Sequence, residues 1–89
     1  MNDTFERTNP ASGAYQIAAL SDSADVPNVG KWRGLYYGGA AANIAVICFE
    51  DNVAVTFKNV QPGTLLPISV RKVMNTNTTA AAADIVLVR

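Results

Sequence analysis

The residues best equipped for chemistry in this chain are few and scattered. Asp22-Ser23-Ala24-Asp25 sets two carboxylates three positions apart in a Ser/Asp-rich loop, the oxygen chemistry that a hard cation such as calcium accepts. A calcium shell takes roughly six to eight oxygens, and the regularly spaced donors and distal Glu of an EF-hand loop are missing, so turn and capping duty is the expected role of these acids. Glu50 and Asp51 are adjacent at a turn, whereas a glycosidase pair needs a cleft between its two carboxylates. Gly30-Lys31 is like the end of a phosphate loop, but Asp25 stands where the first glycine belongs and Trp32 follows the lysine in place of Ser or Thr. Gly34, Gly38 and Gly39 lack dinucleotide-binding spacing. Cys48 lies in the apolar run Ile44-Ala45-Val46-Ile47-Cys48-Phe49, where a thiol behaves as a small hydrophobe. The 89 residues contain no histidine, which removes the commonest general base, the Ser/His and Cys/His nucleophile systems and every His-containing zinc site. No catalytic residue, metal site or cofactor site is expected, and the chain reads as a non-enzyme.

The last cluster with chemical potential is Lys31-Trp32-Arg33-Gly34-Leu35-Tyr36-Tyr37. Strand alternation would put Trp32, Gly34 and Tyr36 on one face and Arg33, Leu35 and Tyr37 on the other. Such a stripe suits core packing, an interface anchor or sugar stacking, and the residues alone leave the first two open.

These side chains must be carried by strands. From Ala14 onward the chain breaks into short β-type runs, Ala14–Leu20, Trp32–Tyr37, Asn43–Phe49, Val53–Lys58, Leu66–Met74 and Asp84–Val88, and no stretch keeps helical apolar spacing over three turns. The fold class is all-β: a small antiparallel β-sandwich, jelly-roll-like or barrel-like, with about six to eight short strands. Glu50-Asp51-Asn52 predicts a tight hairpin, and Gln61-Pro62-Gly63-Thr64 a type II turn. Pro67 marks an edge or a bulge within its run. Val53, Val55 and Phe57 alternate as a core face, and Ala80–Ala83 could form a helical turn. Residues 1–12 read as an extended arm carrying Phe5, and 13–89 as a single domain.

Two runs are apolar on both faces, Ile44–Phe49 and Ile85-Val86-Leu87-Val88. A sandwich has one core side per sheet, so these need a second cover, a bent-over loop or, as favoured here, another subunit. Residues expected at contacts with a like chain or a partner are Phe5, Trp32, Arg33, Tyr37, Ile47, Phe49, Arg71, Val86 and Val88. Seven Lys+Arg balance seven Asp+Glu and only 16% of residues are charged, which argues against a nucleic-acid partner. Met1–Arg7 is polar with mixed charge and no apolar run nears the ~20 residues of a membrane helix, so a cytosolic origin, a soluble product and no membrane partner are expected. Asn2-Asp3-Thr4 and Asn77-Thr78-Thr79 match the glycosylation pattern by chance.

The order of segments adds a family likeness. Ser21-Asp22-Ser23-Ala24-Asp25-Val26-Pro27, then Arg33–Gly38, then Val55 through Val70 around the Pro-Gly turn and Leu66-Pro67-Ile68, then Thr78-Thr79-Ala80, resembles the small head-spike base proteins of gene transfer agents and related tailed phages. The resemblance spans nearly the whole chain, with Leu20 in place of a proline and extra alanines at Ala80–Ala83 as departures. It implies a virion protein, made in the host cytoplasm and lodged on the capsid surface, that forms a homo-oligomer at the vertices, a pentamer by analogy. Its partners would be the major capsid protein and a spike or fibre protein. A capsid cement protein and a carbohydrate-binding module using Trp32, Tyr36 and Tyr37 are the alternatives.

Overall fold

A computed structural model of the chain describes residues 13–89, and the expected arm with Phe5 lies outside the described residues. The strands are β1 (Ala14–Gln16), β2 (Gly34–Tyr37), β3 (Ala42–Cys48), β4 (Val55–Val60), β5 (Thr64–Leu66), β6 (Val70–Val73) and β7 (Ile85–Val88). They form two antiparallel sheets, one in the order β1-β7-β2-β5 and one in the order β4-β3-β6. The small β-sandwich expected from the sequence is therefore present, with seven strands among the described residues.

Alternation builds the core. Leu35 and Tyr37 of β2 pair with Leu87 and Ile85 of β7, and all four side chains point to the inner face. Ile44 and Val46 of β3 with Val70 and Val73 of β6 supply the facing layer. Ile17, Val26, Trp32, Val60 and Ala80 complete the same cluster from strand ends and loops.

Local chemistry explains most boundaries. The expected turn at Gln61-Pro62-Gly63-Thr64 is closed by Thr64 N donating to Gln61 O at 3.2 Å, with Gly63 at φ 82°. That backbone conformation admits glycine without strain. The run expected over Leu66–Met74 is instead two strands in different sheets. Pro67 has no N–H to continue a ladder, and Ile68 N turns back to Leu66 O at 2.9 Å, so the chain kinks there and crosses from β5 to β6. β3 and β4 pair as expected, but their connection runs over 49–54 rather than through a tight turn, and Val53 lies outside the strand at 73% exposure. Val55 is 50% exposed as well, so of the alternating set Val53, Val55 and Phe57 only Phe57 packs against the core. The pairing has shifted register between Ala42 and Ile44, opposite Asn59 at φ 54°, which lets Val60 rather than Asn59 follow Phe57 inward. The helical turn falls at Ala82–Asp84, as a single 3-10 turn leading into β7.

The double-sided apolar strands have different covers. Ala45, on the outer face of β3, is 1% exposed because the 74–80 loop lies against it: Thr78 Oγ1 accepts from Ala45 N at 2.9 Å and Met74 N donates to Ala45 O at 2.8 Å. At that position the chain's own loop lies alongside, while Ile47 and Phe49 of the same run stay half-buried and 40% exposed, respectively. On the outer face of β7, Val86 and Val88 remain half-buried, and no described element lies over them.

Candidate assembly surfaces

The carboxylates of the Ser/Asp loop are spent on holding the fold. Asp22 Oδ1 accepts from Asn75 N at 2.8 Å and Thr76 N at 2.9 Å, while Oδ2 accepts from the Thr76 hydroxyl at 2.6 Å. These bonds, led by the Thr76 hydroxyl, hold the Asp22 carboxyl below its ordinary range. Asp25 accepts from Lys72 Nζ at 2.6 Å and lies 3.9 Å from Arg71 Nε, and the Lys72 bond leads in lowering its carboxyl too. The loop also runs along the free edge of β6, with Ser21 N donating to Val73 O and Val26 N to Arg71 O. Among the described residues no group of three or more His, Cys, Asp or Glu is arranged to hold a metal.

Cys48 is half-buried, and burial first, then the nearby Asp51 charge, push its thiol above the usual range. A protonated thiol is a poor nucleophile. A cleft lined by Tyr15, Ile17, Ser21, Asp25, Val26 and Val73 encloses only about 70 Å³, well short of an ordinary ligand pocket.

The aromatic stripe divides between the core and the surface. Trp32 precedes β2, and the turn containing Asn28 and Gly30, both at positive φ, swings its ring inward until it is 3% exposed. Its Nε1 donates to Pro27 O at 2.6 Å, the Tyr15 ring lies 6.2 Å away, and the Arg89 guanidinium sits 5.4 Å above it. Tyr37 is 2% exposed and its hydroxyl donates to Ala40 O, with burial and then the Asp84 charge raising its pKa. Trp32 and Tyr37, expected at an interface, are thus core side chains. Arg33 precedes β2 and is exposed, so it does not share the buried side of Leu35 and Tyr37 that alternation would give it. The three rings do not share one exposed stacking face.

Of the other expected contact residues, Ile47, Arg71, Val86 and Val88 are half-buried and Phe49 is 40% exposed. The fold gathers Val86 and Val88 with Tyr36, which the sequence places in the aromatic stripe, and with Leu65, which sequence reasoning missed. Tyr36 lies opposite Val86 on one side and Leu65 on the other, and Gly34 lies opposite Val88. Leu65 is 57% exposed and Tyr36 41% exposed. A Cβ on Gly34 would come within 3.1 Å of Val88 and 3.3 Å of Leu65, so the missing side chain lets those two close over the strand. The outer face of β7, β2 and β5 is consequently apolar over Val86, Val88, Tyr36 and Leu65, and on β1 Gln16 lies opposite Val86. A signal was present: Tyr36 sits between two core residues and must face outward. Phe49, Val53 and Val55, at or beside the β3–β4 connection, are also exposed, and the Phe49 ring packs on Gly30. Ile47 and Arg71 lie near the β6 side of the other sheet and do not join the first surface.

No family model matches the chain, and no curated protein sequence does. Among solved structures, it is similar to a chain from the capsid of a native GTA particle, a structure computed with C5 symmetry. The two share 28% sequence identity and superpose with a TM-score of 0.71, over 99% of this chain and 100% of the other.

Proposed function

We propose that the protein is a structural, non-catalytic component of a phage-like or gene-transfer-agent particle, an oligomeric platform on the capsid that carries a host-binding spike. The observation that carries the virion reading is the likeness to a GTA capsid chain, which covers 99% of this chain and 100% of the other. That structure was computed with C5 symmetry, and a ring at a five-fold vertex is the arrangement proposed for this chain. The apolar outer face of Tyr36, Leu65, Val86 and Val88 supports the platform reading, because a second copy of the chain seated there would remove it from water. The arm over 1–12 would reach the capsid or a neighbouring copy.

Electron microscopy of particles from cells expressing a tagged chain tests the reading directly. Label at the vertices, with spikes lost when the gene is deleted, is the expected result. Label distributed between capsomers with spikes unaffected would make it a cement protein, and particles without label would end the virion reading.

A further inference from the structure

The large hydrophobic side chains exposed among the described residues belong to two different parts of the fold. Tyr36 and Leu65 stand on the outer face of β2 and β5, beside Val86 and Val88 of β7. Phe49, Val53 and Val55 lie at or beside the connection from β3 to β4, in the other sheet, and are 40%, 73% and 50% exposed. The nearby charges differ in sign. Arg33 is exposed at the Val88 end of the first surface, where its N–H donates to Val88 O at 2.8 Å, and Glu50 and Asp51 are exposed on the connection. Both ion pairs among the described residues use Asp25, so neither involves Arg33, Glu50 or Asp51. The cation nearest the connection, Arg71, donates to Asp51 O and sits 3.9 Å from the Asp25 carboxylate.

We infer that copies of the chain join head to tail, the 49–54 connection of one copy seated on the Tyr36 and Leu65 face of the next. The inference rests on the ring proposed above and names the two surfaces that build it. A surface that met its own counterpart would join two copies and stop, whereas a closed five-fold ring needs each copy to offer two different surfaces. The described fold offers two exposed apolar places, one on a sheet face and one at a strand connection. Seating one on the other removes both from water and sets the Arg33 side of one copy toward the acidic connection of its neighbour.

The test follows the full chain and two variants, Val53→Lys and Leu65→Lys, by sedimentation velocity, alone and mixed. Each lysine enters a different half of the same contact at a side chain well exposed in the single copy, so each variant should keep the parent's circular dichroism and associate about 100-fold more weakly. The Leu65→Lys chain retains an intact connection and the Val53→Lys chain an intact face. Mixed at about 100 μM each, they should form a one-to-one dimer that neither forms alone. With the parent oligomeric, a Val53→Lys chain that assembles like the parent would overturn the inference, and the face would then meet its own counterpart or residues 1–12. A mixture that stays monomeric would overturn it too. A parent that is itself monomeric at about 100 μM would remove the oligomeric reading and the inference together. If either lysine disturbs folding, Val53→Ser and Leu65→Ser carry the same readings.

Discussion

Gly63 isolates a backbone effect cleanly. At φ 82° it occupies a region that costs a residue with a Cβ about 1–2 kcal/mol, and nothing lies within 4 Å of where that Cβ would go. Gly63→Ala should therefore lower stability by about 1 kcal/mol in denaturant melts with an unchanged slope. Gly39→Ala should cost more, because its Cβ would run into the Asp84 carboxylate and the Tyr37 hydroxyl. Tyr37→Phe removes one hydrogen bond from an otherwise filled core site and should cost about 1 kcal/mol, since Ala40 is exposed and water can take over its carbonyl. The turn at Gly63 was readable from sequence because four consecutive residues determine it. Local alternation leaves Trp32 open between core and interface, because its inward swing depends on Pro27 and Arg89, partners that alternation does not see.

At the scale of elements, the structure is sutured where strands stop. β6 ends at Val73, and from there the threonines of the 74–80 loop continue the work of a strand: Thr78 Oγ1 takes the N–H of Ala45, and Thr79 Oγ1 that of Asn43. Asp22 anchors the start of this loop and Asp25 clips the opposite segment to Lys72. Both carboxyls are lowered from their ordinary value of 3.8, so they favour the folded state at any pH above that value, and the contribution is lost as pH falls through their depressed folded values. The melting temperature of the parent should accordingly fall as pH drops below about 4, and the fall should be shallower in Asp22→Asn and Asp25→Asn. An equally steep acid limb in both variants would show that other carboxylates govern it. The strands themselves were legible, since period-two runs bounded by turn residues suffice to find them. The suture was not, because a low-complexity Asn/Thr/Ala stretch acquires meaning only beside the strand edge it meets. The β5–β6 crossover was half visible in Pro67, whose missing N–H forbade an unbroken strand without saying which sheet the chain enters next.

For the whole molecule, β7 separates a buried face from an outward apolar one within four residues. Leu87 points inward at 0% exposure and Val86 points outward, half-buried beside Tyr36. A chain of this size has on the order of 5–10 kcal/mol of stability, and truncating a fully buried leucine removes about 2–5 kcal/mol, so Leu87→Ala should lower the melting temperature sharply at every protein concentration. Leu65→Lys combined with Val86→Thr changes only the outer face, where substitutions usually shift monomer stability by about 0.5 kcal/mol or less. If that face is where copies meet, the parent chain should scatter light as an oligomer at micromolar concentration and melt at a temperature that rises with concentration, because association draws on the folded state alone. The double variant should be a monomer whose melting temperature no longer depends on concentration. The contrast distinguishes two origins of apolar surface in a small sandwich: a core too thin to hide all of its hydrophobic residues would leave parent and variant alike monomeric, whereas a surface built for assembly loses its oligomer when one lysine is placed in it.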